Sequence, residues 1–221
     1  MKKTLIATTI GLLAVLPVAN ADPVYVDVQN DFDSGVAAPL GDADSLTDVW
    51  TQMNVDFNSI SNLQNPSGGG GTAPGAGDTF TDFGWGLVTA FTGPDVTTLN
   101  EFVPNANLPQ MTFWFDDIQG QYIDVSGNLL PSYSAGTIHF MFDASGIAGL
   151  PGTAAFYDSN DYTNSANFID GLEILTISDV FGGVNPEGAG LVLNGTVSEA
   201  LDDWWFFGDG VEFDEENMTI S

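Results

Sequence analysis

The stretch that decides the fold covers residues 137–142 and reads Thr137-Ile138-His139-Phe140-Met141-Phe142. It is rich in β-branched and aromatic residues, which favour strands over helices. Two similar runs lie upstream, Met111-Thr112-Phe113-Trp114-Phe115 and Tyr122-Ile123-Asp124-Val125. Turn-forming residues separate these two runs, at Asp116-Asp117 and Gly120. The pattern therefore predicts a strand at residues 137–142, and a hairpin across residues 111–125.

Short apolar runs with a period of two recur along the chain, whereas long stripes with the 3.6-residue period of helices do not. Further strands are predicted at residues 24–28, 49–60, 80–91 (broken by Gly84 and Gly86), 154–157, 172–180, 191–197 and 203–207, with a stub at 211–213. Residues 45–48 are an alternative cap for a short helix before the second of these. About ten short strands predict an all-β fold, an antiparallel β-sandwich of the jelly-roll kind.

The first 21 residues have the layout of a secretory signal peptide. Lys2 and Lys3 precede an apolar run over residues 5–18, and the small-residue triplet Ala19-Asn20-Ala21 follows. The alternative, a membrane anchor, needs about 20 apolar residues, which this run does not reach. We therefore expect cleavage after Ala21 and secretion from a bacterium to the cell surface or the medium.

The mature chain, residues 22–221, has no basic side chain other than its single histidine. The full chain has a formal charge of −28, and removal of its only two lysines takes the mature chain to −30. Nucleic-acid binding and attraction to anionic lipids both need Lys or Arg, so neither is expected. The absence of cysteine excludes disulfides and thiol catalysis. We also expect no membrane insertion of the mature chain.

Residues 66–77 form one low-complexity insert, Pro-Ser-Gly-Gly-Gly-Gly-Thr-Ala-Pro-Gly-Ala-Gly. Glycine-rich and proline-containing stretches of this kind do not build a packed core, and they are typical of flexible loops. The segment before the insert is small for an independent fold. We therefore expect one acidic β-sandwich domain over residues 22–221, with a flexible loop at 66–77.

Carboxylates without internal counterions must be screened by cations from solution, either by ordinary salt or by bound divalent ions. Calcium is the expected cofactor, since it prefers carboxylate, carbonyl and water oxygens. The candidate ligands are two groups of alternating acidic and amide side chains: Asp158, Asn160 and Asp161 in one loop, and Asp27, Asp31 and Asp33 in another. Neither group has the complete calcium-loop pattern, and solvated turn residues are the alternative interpretation.

The run Trp204-Trp205-Phe206-Phe207 is the densest aromatic segment. On a strand, alternate residues point to opposite faces. Core packing is the expected role of these rings, and the alternatives are a sugar-binding platform at Trp204 and Trp205 or a protein interface. His139 lies in an apolar strand, where a packed histidine is expected, and no serine has the glycine pattern of a nucleophile elbow. We predict no catalytic residue.

The chain resembles bacterial exported proteins of the PEP-CTERM type, which include flocculation-associated members. The resemblance rests on the leader, on the cysteine-free β-rich composition, and on segments such as Phe140-Met141-Phe142-Asp143 and Asn194-Gly195-Thr196-Val197. The C-terminal sorting tail of that family is not found before Ser221. The resemblance implies a surface or matrix role tied to exopolysaccharide.

Together these observations predict a secreted, acidic, non-enzymatic protein of the matrix or cell surface that depends on cations. Its expected partners are extracellular polysaccharide or matrix proteins. Residues 23–28 have two alternative pairings, with the chain's own sheet or with the open edge of a neighbour's sheet, and the second would give self-association. The alternatives are a carbohydrate-binding β-sandwich module and a glycoside hydrolase that uses two carboxylates.

Overall fold

A computed structural model describes residues 24–26, 52–64, 66–68, 73–92, 110–143, 152, 165–185, 190–201, 204–207 and 219–220. They contain ten strands: β1 Val24–Val26, β2 Gln52–Gln64, β3 Thr79–Thr92, β4 Gln110–Val125, β5 Asn128–Ala135, β6 Ile138–Asp143, β7 Leu172–Asn185, β8 Gly190–Ala200, β9 Trp205–Phe207 and β10 Thr219–Ile220. One 3-10 helix, Ser165–Phe168, precedes β7.

Eight strands form one antiparallel sheet. Seven of them follow one another in the order β10-β8-β7-β5-β4-β3-β2, and the eighth, β6, lies off this path and pairs with both β4 and β7. The long strand β4 uses its first half to pair with β6 and its second half to pair with β5. The other two strands, β1 and β9, pair with each other. The prediction of an all-β antiparallel fold is confirmed, whereas the described residues do not establish a sandwich or a jelly roll.

The strand predictions for β1, β2, β3, β6, β7, β8 and β9 are confirmed, with ends shifted by several residues. Strands β5 and β10 and the 3-10 helix were not predicted. The predicted segments 45–48, 154–157 and 211–213 lie outside the described residues. The N-terminal strand pairs within the chain, with Val24 opposite Phe207.

The hairpin predicted across residues 111–125 is wrong, because β4 is a single strand of 16 residues. Asp116 and Asp117 lie at a β-bulge, since β3 pairs through Asp82 with Ile118 and through Gly84 with Phe115. A bulge adds one residue to a strand without ending it. The turn lies further on, at Ser126 and Gly127, where φ is 57° and 85°.

The predicted break of β3 at Gly84 and Gly86 is also wrong. Both glycines lie inside the continuous strand Thr79–Thr92 and pair with β2 and β4 on its two sides. Aromatic rings from these neighbours fill the space above both glycines. The glycines therefore accommodate rings within the sheet and do not interrupt it.

The main hydrophobic core lies on one face of the sheet, called the core face below. It includes Met111, Phe113, Phe115, Phe140, Phe142, Ile174, Leu175, Ile177, Trp204 and Trp205. A smaller cluster of Trp85, Leu87 and Phe168 covers part of the opposite face, which we call the polar face. Because both faces are covered there, all four residues from Gln110 to Phe113 are buried.

Within the described part of the chain, we find no helix with the length and apolarity that a membrane crossing requires.

Candidate functional site

The polar face ends in a shallow depression with a volume of about 480 Å³, called the polar depression below. Its lining side chains are mostly amides and hydroxyls: Gln64, Thr79, Thr81, Gln119, Gln121, Ser132 and Ser134, together with Phe80 and Gly120. None of these lining residues is charged. Amides and hydroxyls both donate and accept hydrogen bonds, so the depression matches a ligand rich in hydroxyl groups.

The pairing register explains why these side chains converge. Gln64 lies opposite Thr79, Thr79 lies opposite Gln121, and Gln121 lies opposite Ser132. Directly paired residues of antiparallel strands project to the same face. These four side chains therefore form a polar row across β2, β3, β4 and β5, with one group every ~4.8 Å, the usual distance between strands.

A second polar cluster lies further along the same face and is held by an ion pair. The Nδ1 atom of His139 is 2.7 Å from Oε1 of Glu173, and the Thr176 hydroxyl donates to the same oxygen at 2.5 Å. The His139 ring also stacks on Trp114, with centroids 4.2 Å apart and planes 10° apart. We call these four residues the histidine–glutamate cluster.

The electrostatics of Glu173 follow from these contacts. Burial alone raises the pKa of its carboxyl. The hydrogen bonds from His139 and Thr176, and the charge of His139, outweigh burial and hold the pKa below its usual value. The position of His139 in a strand was predicted, but its stacking on Trp114 and its ion pair were not. The cluster fixes the imidazole between an indole and a carboxylate.

A buried carboxylate lies on the core face behind the polar depression. Asp82 is 4% exposed, and its Oδ2 accepts a hydrogen bond of 3.0 Å from the Tyr133 hydroxyl. Its Oδ1 is buried and has no hydrogen-bond partner among the described residues. Burial and the charge of Asp82 raise the pKa of Tyr133 well above its usual range. The same two causes raise the pKa of Tyr122 by a smaller amount.

Sequence reasoning missed Asp82, although a signal was present. Asp82 lies two residues from Phe80 in a strand, so the period of two places both side chains on one face. Both are buried in the structure. An acidic residue in phase with a core phenylalanine therefore indicates a buried carboxylate.

Trp204 and Trp205 are buried, so neither ring forms the exposed sugar platform that was the alternative to core packing. Their exposed fractions are 3% and 1%. The indole Nε1 of Trp205 donates a 2.7 Å hydrogen bond to the carbonyl of Ile174, and the Trp204 ring meets Phe142 edge-on at 5.1 Å. Both rings therefore belong to the main core, as the sequence predicted.

The two predicted calcium-binding loops are not described by the structure. Asp27, Asp31 and Asp33 and also Asp158, Asn160 and Asp161 lie outside the described residues. Within the ranges that the structure describes, no three His, Asp or Glu side chains group as metal ligands. The calcium prediction for both loops remains a prediction.

Comparisons with protein-family models, with curated proteins and with solved structures find no match to this chain.

Proposed function

We propose that this is a secreted, acidic, non-enzymatic protein of the extracellular matrix or cell surface, and that its polar depression binds a neutral polysaccharide. One observation carries the proposal. The row of Gln64, Thr79, Gln121 and Ser132 presents evenly spaced hydrogen-bonding groups without a charged member. A sugar polymer presents hydroxyl groups along its length, so several can be bound at once.

The charge of the chain selects against anionic polysaccharides. Thirty acidic side chains face no lysine or arginine once the leader is removed. Such a surface repels a polyanion over roughly the Debye length, about 8 Å at physiological salt. A neutral polymer experiences no such repulsion and gains the hydrogen bonds. This argument also favours binding over glycoside hydrolysis, because the depression itself contributes no carboxylate.

Cations from solution support the folded state in this proposal. Repulsion among like charges destabilises a compact chain, and no internal lysine or arginine offsets it. Calcium at Asp158, Asn160 and Asp161 or at Asp27, Asp31 and Asp33 is one source of positive charge, and general salt is another. Matrix proteins, and self-association by strand pairing, remain proposed partners alongside the polysaccharide.

The test is a binding assay with the double variant Gln119→Ala/Gln121→Ala. Each neutral hydrogen bond contributes about 0.5–1.5 kcal/mol, so the loss of two should weaken binding about tenfold. The probe is a series of neutral glucans, mannans and galactans in affinity electrophoresis, with alginate as the anionic comparison. Ser59→Ala changes an exposed hydroxyl on the other face of β2 and serves as the control.

Wild-type protein and Ser59→Ala should be retarded equally by at least one neutral polymer, and the double variant should migrate faster. Retardation by alginate alone, or equal retardation of the double variant, would contradict the proposal. Release of reducing ends from a bound polymer would favour the hydrolase alternative.

A further inference from the structure

The Asp82 carboxylate is buried, and the mature chain proposed above provides no lysine or arginine to pair with it. The only lysines lie at positions 2 and 3, and arginine is absent. The single histidine, His139, lies on the polar face, whereas Asp82 lies on the core face. An unpaired buried charge costs several kcal/mol, so it requires a positive partner or a proton. A positive partner must come from solution.

The neighbours of Asp82 provide oxygen ligands. The Tyr133 hydroxyl lies 3.0 Å from Oδ2. Ser61 lies directly opposite Asp82 in the pairing of β2 with β3, so its exposed side chain projects to the same face and its hydroxyl marks the solvent side of the position. Oxygen ligands without nitrogen or sulfur suit hard cations such as calcium and sodium.

The surroundings of this position are apolar. The Phe80 ring meets Tyr122 and Tyr133 at centroid distances of 4.9 and 5.4 Å. Rings on this side lower the local polarity, which strengthens the attraction between the carboxylate and a cation. The raised pKa of Tyr133 shows that its hydroxyl remains protonated beside Asp82 and acts as a neutral oxygen.

We propose that the Asp82 carboxylate, with the hydroxyl oxygens of Tyr133 and Ser61, binds one hard metal cation from solution. This site is distinct from the acidic loops predicted from the sequence. This proposal rests on the cation dependence proposed above, because it names a site where a cation would bind. It does not depend on polysaccharide binding.

Thermal melts of the full mature chain, treated with EDTA beforehand, test the site. The melts are recorded in choline chloride, in sodium chloride and with added calcium chloride, all at the same ionic strength. Choline is too bulky to enter a buried site. Sodium or calcium should raise the Tm of the wild type above its value in choline, and Asp82→Asn should lose this rise. In choline alone, Asp82→Asn should melt at or above the wild-type temperature, because it removes an uncompensated buried charge.

Two further variants separate this site from general screening. Asp56→Asn removes one charge from an exposed position on β2 and should keep the full rise. Tyr133→Phe removes one oxygen ligand and should reduce the rise. An equal rise in Asp82→Asn, or no rise in the wild type beyond that in choline, would overturn the proposal.

A spectroscopic measurement keeps the test decisive if Asp82→Asn does not fold. Terbium at this site should show luminescence on tyrosine excitation, and calcium should displace it. Tyr133→Phe should reduce this signal, with Tyr122 supplying the remainder, whereas Asp56→Asn should keep it in full; an unchanged signal in Tyr133→Phe would refute the site. Glucan binding measured in choline distinguishes the two proposals, because Gln119→Ala/Gln121→Ala should bind glucan about tenfold more weakly than the wild type and should keep the full cation response.

Discussion

The ring of Phe115 lies directly over the backbone of Gly84. A Cβ atom built on Gly84 would stand 2.6 Å from Cζ of Phe115 and 2.2 Å from the carbonyl oxygen of Asn58. Real Cβ atoms do not approach other atoms this closely. Glycine is therefore required here by the packing of an aromatic ring across the strand.

The same arrangement recurs one pair further along β3. A Cβ atom on Gly86 would stand 2.6 Å from Cβ of Phe57 and 2.7 Å from Cζ of Phe113. The centroid of the Phe57 ring lies 6.3 Å from the ring centroids of both Phe113 and Phe115. Three phenylalanines from β2 and β4 thus close over the two glycines, and this contact joins three strands on the core face.

We predict that Gly84→Ala destabilises the protein, although alanine is usually no worse than glycine in a strand. Overpacking in a well-packed region costs about 1–3 kcal/mol. Urea unfolding should therefore show a lower midpoint. Gly183→Ala is the control, since its nearest atom to an added Cβ is 3.0 Å away. Gly183→Ala should lower the free energy of unfolding clearly less than Gly84→Ala does. An equal loss in the two variants would argue against the ring contact at Gly84.

The strands that the sequence predicted are those with a local signal. The alternation in residues 137–142 and 191–197 is visible within one segment, and β6 and β8 contain both. Strand β5 was missed because Pro131 argues against a strand. In the structure β7 pairs with β5 at Ser132 and Tyr133, so Pro131 removes no hydrogen bond to β7 there.

The polar depression was not predictable from any one segment. Its row joins Gln64, Thr79, Gln121 and Ser132, which come from four strands. Their alignment depends on register, and bulges next to Asp82 and Gln119 shift that register. A displacement by one residue would move every side chain of a strand to the other face. Only the pairing of the whole sheet brings these four side chains together.

The burial of Trp205 leads to a second prediction. Trp205→Phe removes the hydrogen bond to the Ile174 carbonyl and leaves a cavity, at a combined cost of about 1–3 kcal/mol. Leu201 still donates to that carbonyl, at 3.0 Å, so the acceptor is not left without a partner. Guanidinium unfolding measures the loss. Phe181→Leu, at a half-exposed ring, is the control and should change little.

Affinity for neutral polymers should be the same in Trp205→Phe as in the wild type. A loss of binding with unchanged stability would instead restore the exposed-platform interpretation of this tryptophan.

The Gly-rich loop over residues 66–77 is anchored by one carboxylate, that of Asp78. The backbone N–H groups of Ser67 and Gly75 donate to its Oδ2 at 2.7 and 2.6 Å. We predict that Asp78→Ala lowers the hydrogen-exchange protection of both amides, measured by NMR at neutral pH. Asp124→Ala is the control, because it removes a carboxylate that accepts from a different turn, at Gly127. It should leave the protection of Ser67 and Gly75 unchanged.

The pH dependence of this anchor has a definite sign. The hydrogen bonds from Ser67 lower the pKa of Asp78, burial opposes them, and the bond from Gly75 lowers it further. A carboxyl with a lowered folded pKa contributes its stabilisation above the unfolded value and loses it as the pH falls through the folded value. Protection of both amides should therefore persist at pH 5 and decrease in stronger acid. Protection that falls between pH 7 and pH 5 would contradict this assignment.

The histidine–glutamate cluster gives a fourth prediction. In a chain with a charge of −30, removal of a carboxylate generally reduces repulsion and should stabilise the fold. Glu173→Gln should do the opposite at neutral pH, because it weakens the hydrogen bonds that Oε1 of Glu173 accepts from His139 and from Thr176. Since 42% of the Glu173 side chain is exposed, solvent screens these contacts and the loss should be below about 1 kcal/mol. Glu199→Gln, on the neighbouring strand β8, removes the same charge and is the control.

The difference between Glu173→Gln and the wild type should disappear in acid. The folded pKa of Glu173 lies below its usual value, so its contribution is present above the unfolded pKa and is lost as the pH falls through the folded one. Urea midpoints of both proteins, measured at intervals from pH 7 to pH 3, should therefore converge at the acidic end of this range. Midpoints that stay apart by the same amount at every pH would show that the carboxylate of Glu173 acts through packing and not through its charge.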